Sequence, residues 1–97
     1  MTAKDSMPTR VLHDAAAHRF AISVDGTDAF VDYEQHGAQM VITHTRVPES
    51  IGGRGIAGQL TRAAFDHART AGWTVRPRCS YAAAWVERHP DVSDLIA

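Results

Sequence analysis

The sequence predicts a small α+β domain: an antiparallel meander of strands, then a helix, a short strand and a second helix. Three observations carry this. Apolar and polar residues alternate with period two through the first half, between short turns. Past residue 54 the apolar residues recur at helical spacing instead. The whole chain is 97 residues long, room for one domain. Residues 1–10 read as a flexible N-terminal tail and residues 11–97 as the domain.

A short strand at residues 11–13 is a weak first element. Arg19–Val24 places Phe20, Ile22 and Val24 on one face, and Asp25-Gly26-Thr27-Asp28 supplies a turn. Residues 29–35 follow, with Phe30, Asp32 and Glu34 alternating against Val31 and Tyr33, and His36-Gly37 closes a second turn. In the third strand, residues 38–47, Met40, Ile42 and His44 oppose Val41, Thr43, Thr45 and Val47. Short connections make these strands antiparallel. Over residues 55–71, Ile56, Leu60, Ala63, Ala64, Ala68 and Ala71 form an apolar helical face. Arg62 and Asp66 form an i,i+4 pair on the other side, and Gly72 ends the helix. Residues 73–76 form a strand stopped by Pro77. Residues 81–88 read as a second helix ending ahead of His89-Pro90, because the residue before proline disfavours helical geometry. Residues 91–96 suit one last turn.

Ten Lys and Arg against eleven Asp and Glu leave a formal charge of -1. A domain that binds nucleic acid by neutralising phosphates carries a basic excess, so no nucleic-acid partner is expected. The longest apolar run, residues 81–86, is far shorter than a bilayer span, and residues 1–10 lack the apolar core of a signal peptide. Cys79 is the only cysteine, which excludes an internal disulfide. A cytoplasmic chain with no membrane partner is the expectation, as a monomer or weak homodimer.

Chemistry concentrates in Val47-Pro48-Glu49-Ser50-Ile51-Gly52-Gly53-Arg54-Gly55-Ile56-Ala57-Gly58, where a strand ends and a helix begins. Glycines let the backbone approach a ligand, and the unpaired N–H groups of a helix start attract phosphate. The same glycines also suit an ordinary turn ahead of an amphipathic helix. Gly53 to Gly58 spells the G-x-G-x-x-G dinucleotide fingerprint. That fingerprint needs a parallel βαβ sheet with an acidic residue about 20 positions on, whereas here antiparallel strands come first and Arg76 and Arg78 lie downstream. NADP held by those arginines is the only dinucleotide reading left, and the architecture opposes it.

The stretch resembles the acyl-CoA pyrophosphate loop of the GNAT N-acetyltransferase superfamily, Gln/Arg-x-x-Gly-x-Gly/Ala after a Val-x-Pro-like strand end. Gly55 and Ala57 match its last two places, while Gly52 stands where Gln or Arg is usual. His44-Thr45-Arg46-Val47-Pro48, the helix start Arg54-Gly55-Ile56-Ala57, Pro77-Arg78-Cys79-Ser80-Tyr81 and His89-Pro90 extend the likeness to a compact GNAT-like subfamily over residues 39–95. The resemblance implies a GNAT-like (acyl-CoA N-acyltransferase) fold, an antiparallel sheet with one parallel, splayed strand pair and two main helices. It implies acetyl-CoA (or CoA) as cosubstrate, Arg46 and Val47 as edge contacts for the pantetheine arm, and Gly52, Gly53, Arg54, Gly55, Ile56 and Ala57 around the pyrophosphate. An acyl-CoA-dependent transfer of acetyl to an amine, including a protein lysine, would follow, either by direct attack of the neutral amine or by way of Cys79. A non-catalytic acyl-CoA-binding or sensing module is the alternative, because a chain this short lacks the extra elements that wall the acceptor site in larger members.

Three side chains are candidates for catalysis. Cys79, near a helix start and beside Arg76 and Arg78 in sequence, is a candidate nucleophile that would take the acyl group; a small buried hydrophobe is the plainer reading. Tyr81 is a candidate acid for the leaving CoA thiolate, though a partly buried ring with a satisfied hydroxyl fits its position equally. His44 is a candidate base for an amine, or a strand histidine facing solvent. Ser80 reads as the N-cap of the last helix and His89 as a residue serving its last carbonyls. The six histidines are scattered without ligand spacing, so no metal is expected.

Overall fold

The computed structural model describes residues 10–97. The tail expected at residues 1–10 lies outside them, Arg10 excepted. Five strands form one sheet in sequence order: β1 (Leu12–Asp14), β2 (Arg19–Val24), β3 (Thr27–His36), β4 (Gln39–Arg46) and β5 (Thr74–Pro77). All neighbours are antiparallel except β4 and β5, which are parallel. The helix α1 (Ile56–Ala71) makes the crossover between those two, and α2 (Ser80–Glu87) follows β5. Short 3₁₀ segments occupy Glu49–Ile51 and Pro90–Leu95. This is the α+β architecture expected, with the parallel pair where the resemblance implied it.

The β2–β3 hairpin turns on two residues, Asp25 and Gly26, flanked by the pair Val24↔Thr27. Both have positive φ, 53° and 77°, as the turn that matches the sheet's twist requires; Asp and Gly are the residues that tolerate it.

One face of the sheet is covered. Phe20, Ile22, Ala29, Val31, Tyr33, Met40 and Ile42 meet Ile56, Leu60, Ala64, Phe65 and Ala68 of α1 in one core, completed by Trp85 and Val92. The buried stripe of α1 differs from the one the sequence suggested. Thr61 and Phe65 are fully buried, while Ala71 is exposed. Thr61 is accommodated because its hydroxyl donates to the Ala57 carbonyl at 2.8 Å. Arg62 pairs with Asp91 at 2.6 Å, not with the Asp66 expected from helical spacing, and Arg69 pairs with Asp94. These contacts lay Pro90–Leu95 against α1. Beyond it, Ile96 bridges Val75, and the Ala97 N–H donates to the Val75 carbonyl, which partly covers the outer edge of β5.

Gly72 closes α1 as expected, with its N–H directed to the Ala68 and Arg69 carbonyls.

Candidate functional site

The site is made by a divergence. β4 and β5 pair over only four rungs, from Gln39↔Thr74 to Ile42↔Pro77. Pro77 has no N–H with which to extend the ladder. The N–H groups of Arg78 and Cys79 both donate to the Ile42 carbonyl, at 3.0 and 3.1 Å, and the chain then turns into α2. β4 meanwhile continues to Arg46, paired with β3 alone. Residues 43–46 therefore present an edge along which β5 does not run.

A bulge bends β4 at the same place. The β3 register moves from Asp32↔His44 to Tyr33↔Ile42, which leaves Thr43 without an opposite residue; its hydroxyl donates to the Asp32 carbonyl at 3.3 Å. The extra residue reverses the alternation. His44, expected on the face of Met40 and Ile42, instead pairs with Asp32 on the face without helices, and Thr45 takes the helix side opposite Val31. His44 is exposed, its Nδ1 3.2 Å from the Thr43 hydroxyl.

Thr45 thereby meets Cys79. Its Oγ1 lies 3.3 Å from the Cys79 Sγ, which also accepts from the Ala82 N–H at 3.3 Å. Cys79, not Ser80, is the N-cap of α2. The helix starts one residue early because the Ile42 carbonyl already holds the Cys79 N–H and orients its side chain toward the first turn. The candidate nucleophile thus stands at the splay point, half-buried, with the candidate base His44 on the other face of the sheet. Nothing local marks Thr45; only the meeting of two distant segments brings it to the thiol.

Past Arg46, Val47 packs on the core and Ile51 is buried as an anchor. Residues 52–55 then lead into α1. Gly55 is its N-cap at φ 75°, a left-handed conformation that suits glycine, and no side chain caps the helix. The first intrahelical bond runs from the Gln59 N–H to the Gly55 carbonyl at 3.1 Å. Ile56, Ala57 and Gly58 consequently have no intrahelical acceptor for their N–H groups, at the positive end of a 16-residue helix. Arg54 is engaged by Asp25 at 3.0 Å. Arg46 is exposed, paired in register with Phe30.

Gly58, third glycine of the literal fingerprint, serves helix packing. A Cβ there would lie 3.6 Å from the Trp85 Nε1 and 3.8 Å from the Tyr81 hydroxyl. The Tyr81 ring is half-buried and its hydroxyl lies against the first turn of α1. His89 stacks on Trp85, and its Nδ1 is 2.7 Å from the Trp85 carbonyl, the helix-end role expected of it.

Among the described residues, no group of three or more His, Cys, Asp or Glu forms a potential metal site, and no helix is long and apolar enough to cross a membrane. Three histidines do gather between the sheet and α1. His13 stacks on Phe20 with centroids 4.1 Å apart, meets His67 edge-on, and binds the Tyr33 hydroxyl through Nε2 at 2.6 Å; His18 stacks on Tyr33. Burial, reinforced by His67, holds the His13 imidazole below its ordinary pKa.

Residues 19–95 match the family model described as GCN5-related N-acetyl-transferase. The chain is 34% identical over 86 residues to Protein NATD1 of Mus musculus, covering 86% of this chain and 78% of that one. It is 34% identical over 84 residues to Protein NATD1 of Danio rerio, covering 84% of this chain and 76% of the relative. A GCN5-like protein of Staphylococcus aureus, determined in solution by NMR, superposes with a TM-score of 0.73 at 24% identity, covering 92% of this chain and 88% of that one. That structure has the same fold.

Proposed function

The chain belongs to the GCN5-related N-acetyltransferase family, and on that premise we propose that it binds acetyl-CoA and transfers the acetyl group to an amine. The observation that carries this reading is the departure of β5 from β4 at Ile42↔Pro77 beside the uncapped start of α1. A pyrophosphate would be held by the backbone N–H groups of residues 53–57, with the helix dipole behind them; the Gly52 N–H, expected to join them, is instead bound to the Glu49 carbonyl at 3.0 Å. The pantetheine arm would run along the unpaired edge of residues 43–46 and into Val47, its amides pairing with the backbone, so the thioester reaches Cys79.

In this reading Cys79 is the first acceptor. Its thiolate, receiving hydrogen bonds from the Ala82 N–H and the Thr45 hydroxyl, attacks the thioester carbonyl carbon. A C–S bond to Cys79 forms, the C–S bond to CoA breaks, and the CoA thiolate takes a proton from Tyr81, which recovers one from solvent. A neutral amine entering from the face of His44 then attacks the acetyl-cysteine. His44 takes the proton that leaves the amine neutral, the C–N bond forms, the bond to Cys79 breaks, and the amine's second proton goes to the departing Cys79 thiolate.

The test is a thermal-shift titration with acetyl-CoA, CoA and NADPH side by side, followed by intact mass measurement after acetyl-CoA alone. A ligand specific for the folded state at about a hundred times its Kd adds roughly 2.7 kcal/mol, several degrees for a domain of this size. Stabilisation by acetyl-CoA with an acetyl group retained on Cys79 is the expected result. Stabilisation without label, and without CoA release from acetyl-CoA in the presence of any amine, supports a binding module instead. A response to NADPH alone overturns the reading.

A further inference from the structure

Of the depressions on the helix-free face of the sheet, two adjoin one another at Glu34 and Arg78. One, of about 330 Å³, is lined by Glu34, Thr43, His44 and Arg78; the other, of about 350 Å³, by Glu34, His36, Gln39, Val41, Arg76 and Arg78. Glu34 and Arg78 border both. Two other contacts on this face close directly. Arg19 grips Asp32 with two hydrogen bonds of 2.7 and 3.0 Å, and His36 lies 2.9 Å from Glu34. Glu34 and Arg78 make no such pair among the described residues, although the Arg78 charge is felt at Glu34 and helps hold its carboxyl below the usual range, after the hydrogen bond from His36.

Position adds to charge. The Arg78 N–H is bound to the Ile42 carbonyl at the last rung before the strands part, and Thr43 is the bulge residue. The smaller depression therefore opens on the face opposite Cys79 at the splay point, with His44 in its wall. An acidic peptide laid across this face would meet the carboxylates of Asp32 and Glu34, which β3 directs to the same side. A small molecule carrying both charges meets complementary groups instead.

Resting on the acetyltransferase reading above, we propose that this depression is the acceptor subsite and that the acceptor is an aminocarboxylate, its ammonium received at Glu34 and His44 and its carboxylate at Arg78. The ammonium gives one proton to His44, and the resulting amine attacks the acetyl carbonyl carbon. As the C–N bond forms and the C–S bond breaks, the second proton goes to the departing thiolate. The products are an N-acetyl aminocarboxylate and a thiol, and the imidazolium returns its proton to solvent.

The test uses free amino acids, the matching amino acid carboxamides and the matching carboxylic acids without the amine, on the full chain, with CoA present for binding and acetyl-CoA for turnover. Binding is followed by amide chemical shifts in two-dimensional NMR and turnover by CoA release. An amino acid is expected to bind about tenfold or more tightly than its carboxamide, as loss of a charge-assisted bond to guanidinium implies. Shifts should centre on Thr43, His44 and Arg78. Arg78→Gln should bring that preference to unity, whereas Glu34→Gln should weaken amino acid and carboxamide alike. Equal binding of amino acid and carboxamide, shifts elsewhere, or turnover only of a lysine within a peptide overturns the proposal. Stabilisation by acetyl-CoA, measured on the same sample, separates that failure from failure of the acetyltransferase reading itself.

Discussion

The Thr45 hydroxyl and the Cys79 thiol lie 3.3 Å apart although 34 residues separate them in the chain. The contact exists because the bulge at Thr43 turns Thr45 to the helix side of β4, while the Ile42 carbonyl draws in the start of α2. Cys79 consequently combines two roles, helix cap and candidate nucleophile, and these can be separated. Serine is a strong N-cap but a poor thioester acceptor. Cys79→Ser should therefore keep the melting temperature of the parent and lose acetyl labelling. Cys79→Ala removes the cap as well and should cost about 1 kcal/mol, several degrees of Tm. Unchanged turnover in Cys79→Ser would restrict the residue to capping.

Thr45→Val keeps the shape of the side chain and removes the hydroxyl. Acetyl transfer should fall roughly ten- to a hundredfold, the value of a hydrogen bond to a charged sulfur. The fold should be unaffected, because Cys79 keeps the Ala82 N–H. Steady-state CoA release alongside a melting curve checks both halves.

Gly55→Ala places a Cβ on a residue at φ 75° where space is open but the backbone conformation is unfavourable. A loss of about 1–2 kcal/mol is expected from that strain. Acetyl-CoA affinity should drop further than stability does, since the loop would relax away from its cradle. Comparing chemical denaturation with calorimetric titration distinguishes the two.

Gly58→Ala should act in the opposite direction. The new methyl group would make ordinary contacts with Trp85 and Tyr81, and alanine favours the helix by up to about 1 kcal/mol. A raised denaturation midpoint is the expected outcome; a lowered one would mean that the seam between α1 and α2 is tighter than these distances indicate.

The pocket around His13 makes stability depend on pH. His13 has its folded-state pKa lowered from 6.5 by burial and then by His67, so the unfolded chain binds its proton first. Stability is complete above the unfolded value and declines as pH falls from 6.5 toward the lower folded value. His13→Phe, which preserves stacking on Phe20, should flatten this slope in melting curves taken across that interval.

The elements that depend on near neighbours were legible in the residues themselves. Period-two alternation marked Phe20, Ile22 and Val24 as one face, helical spacing marked Leu60, Ala64 and Ala68, and the glycines marked the loop ahead of α1, because each pattern is set within one strand or one turn. The make-up of the α1 stripe was not, since Phe65 and Thr61 are buried by what the sheet and α2 bring to them. The face of His44 was not either: an extra residue in β4 has meaning only against β3, so period two carried His44 to the wrong side. The cap of α2 moved from Ser80 to Cys79 because a carbonyl on another strand fixed where the helix begins. Patterns internal to a segment reveal its elements. The gap between β4 and β5, and the side chains that meet across it, are decided by pairing between segments far apart in sequence.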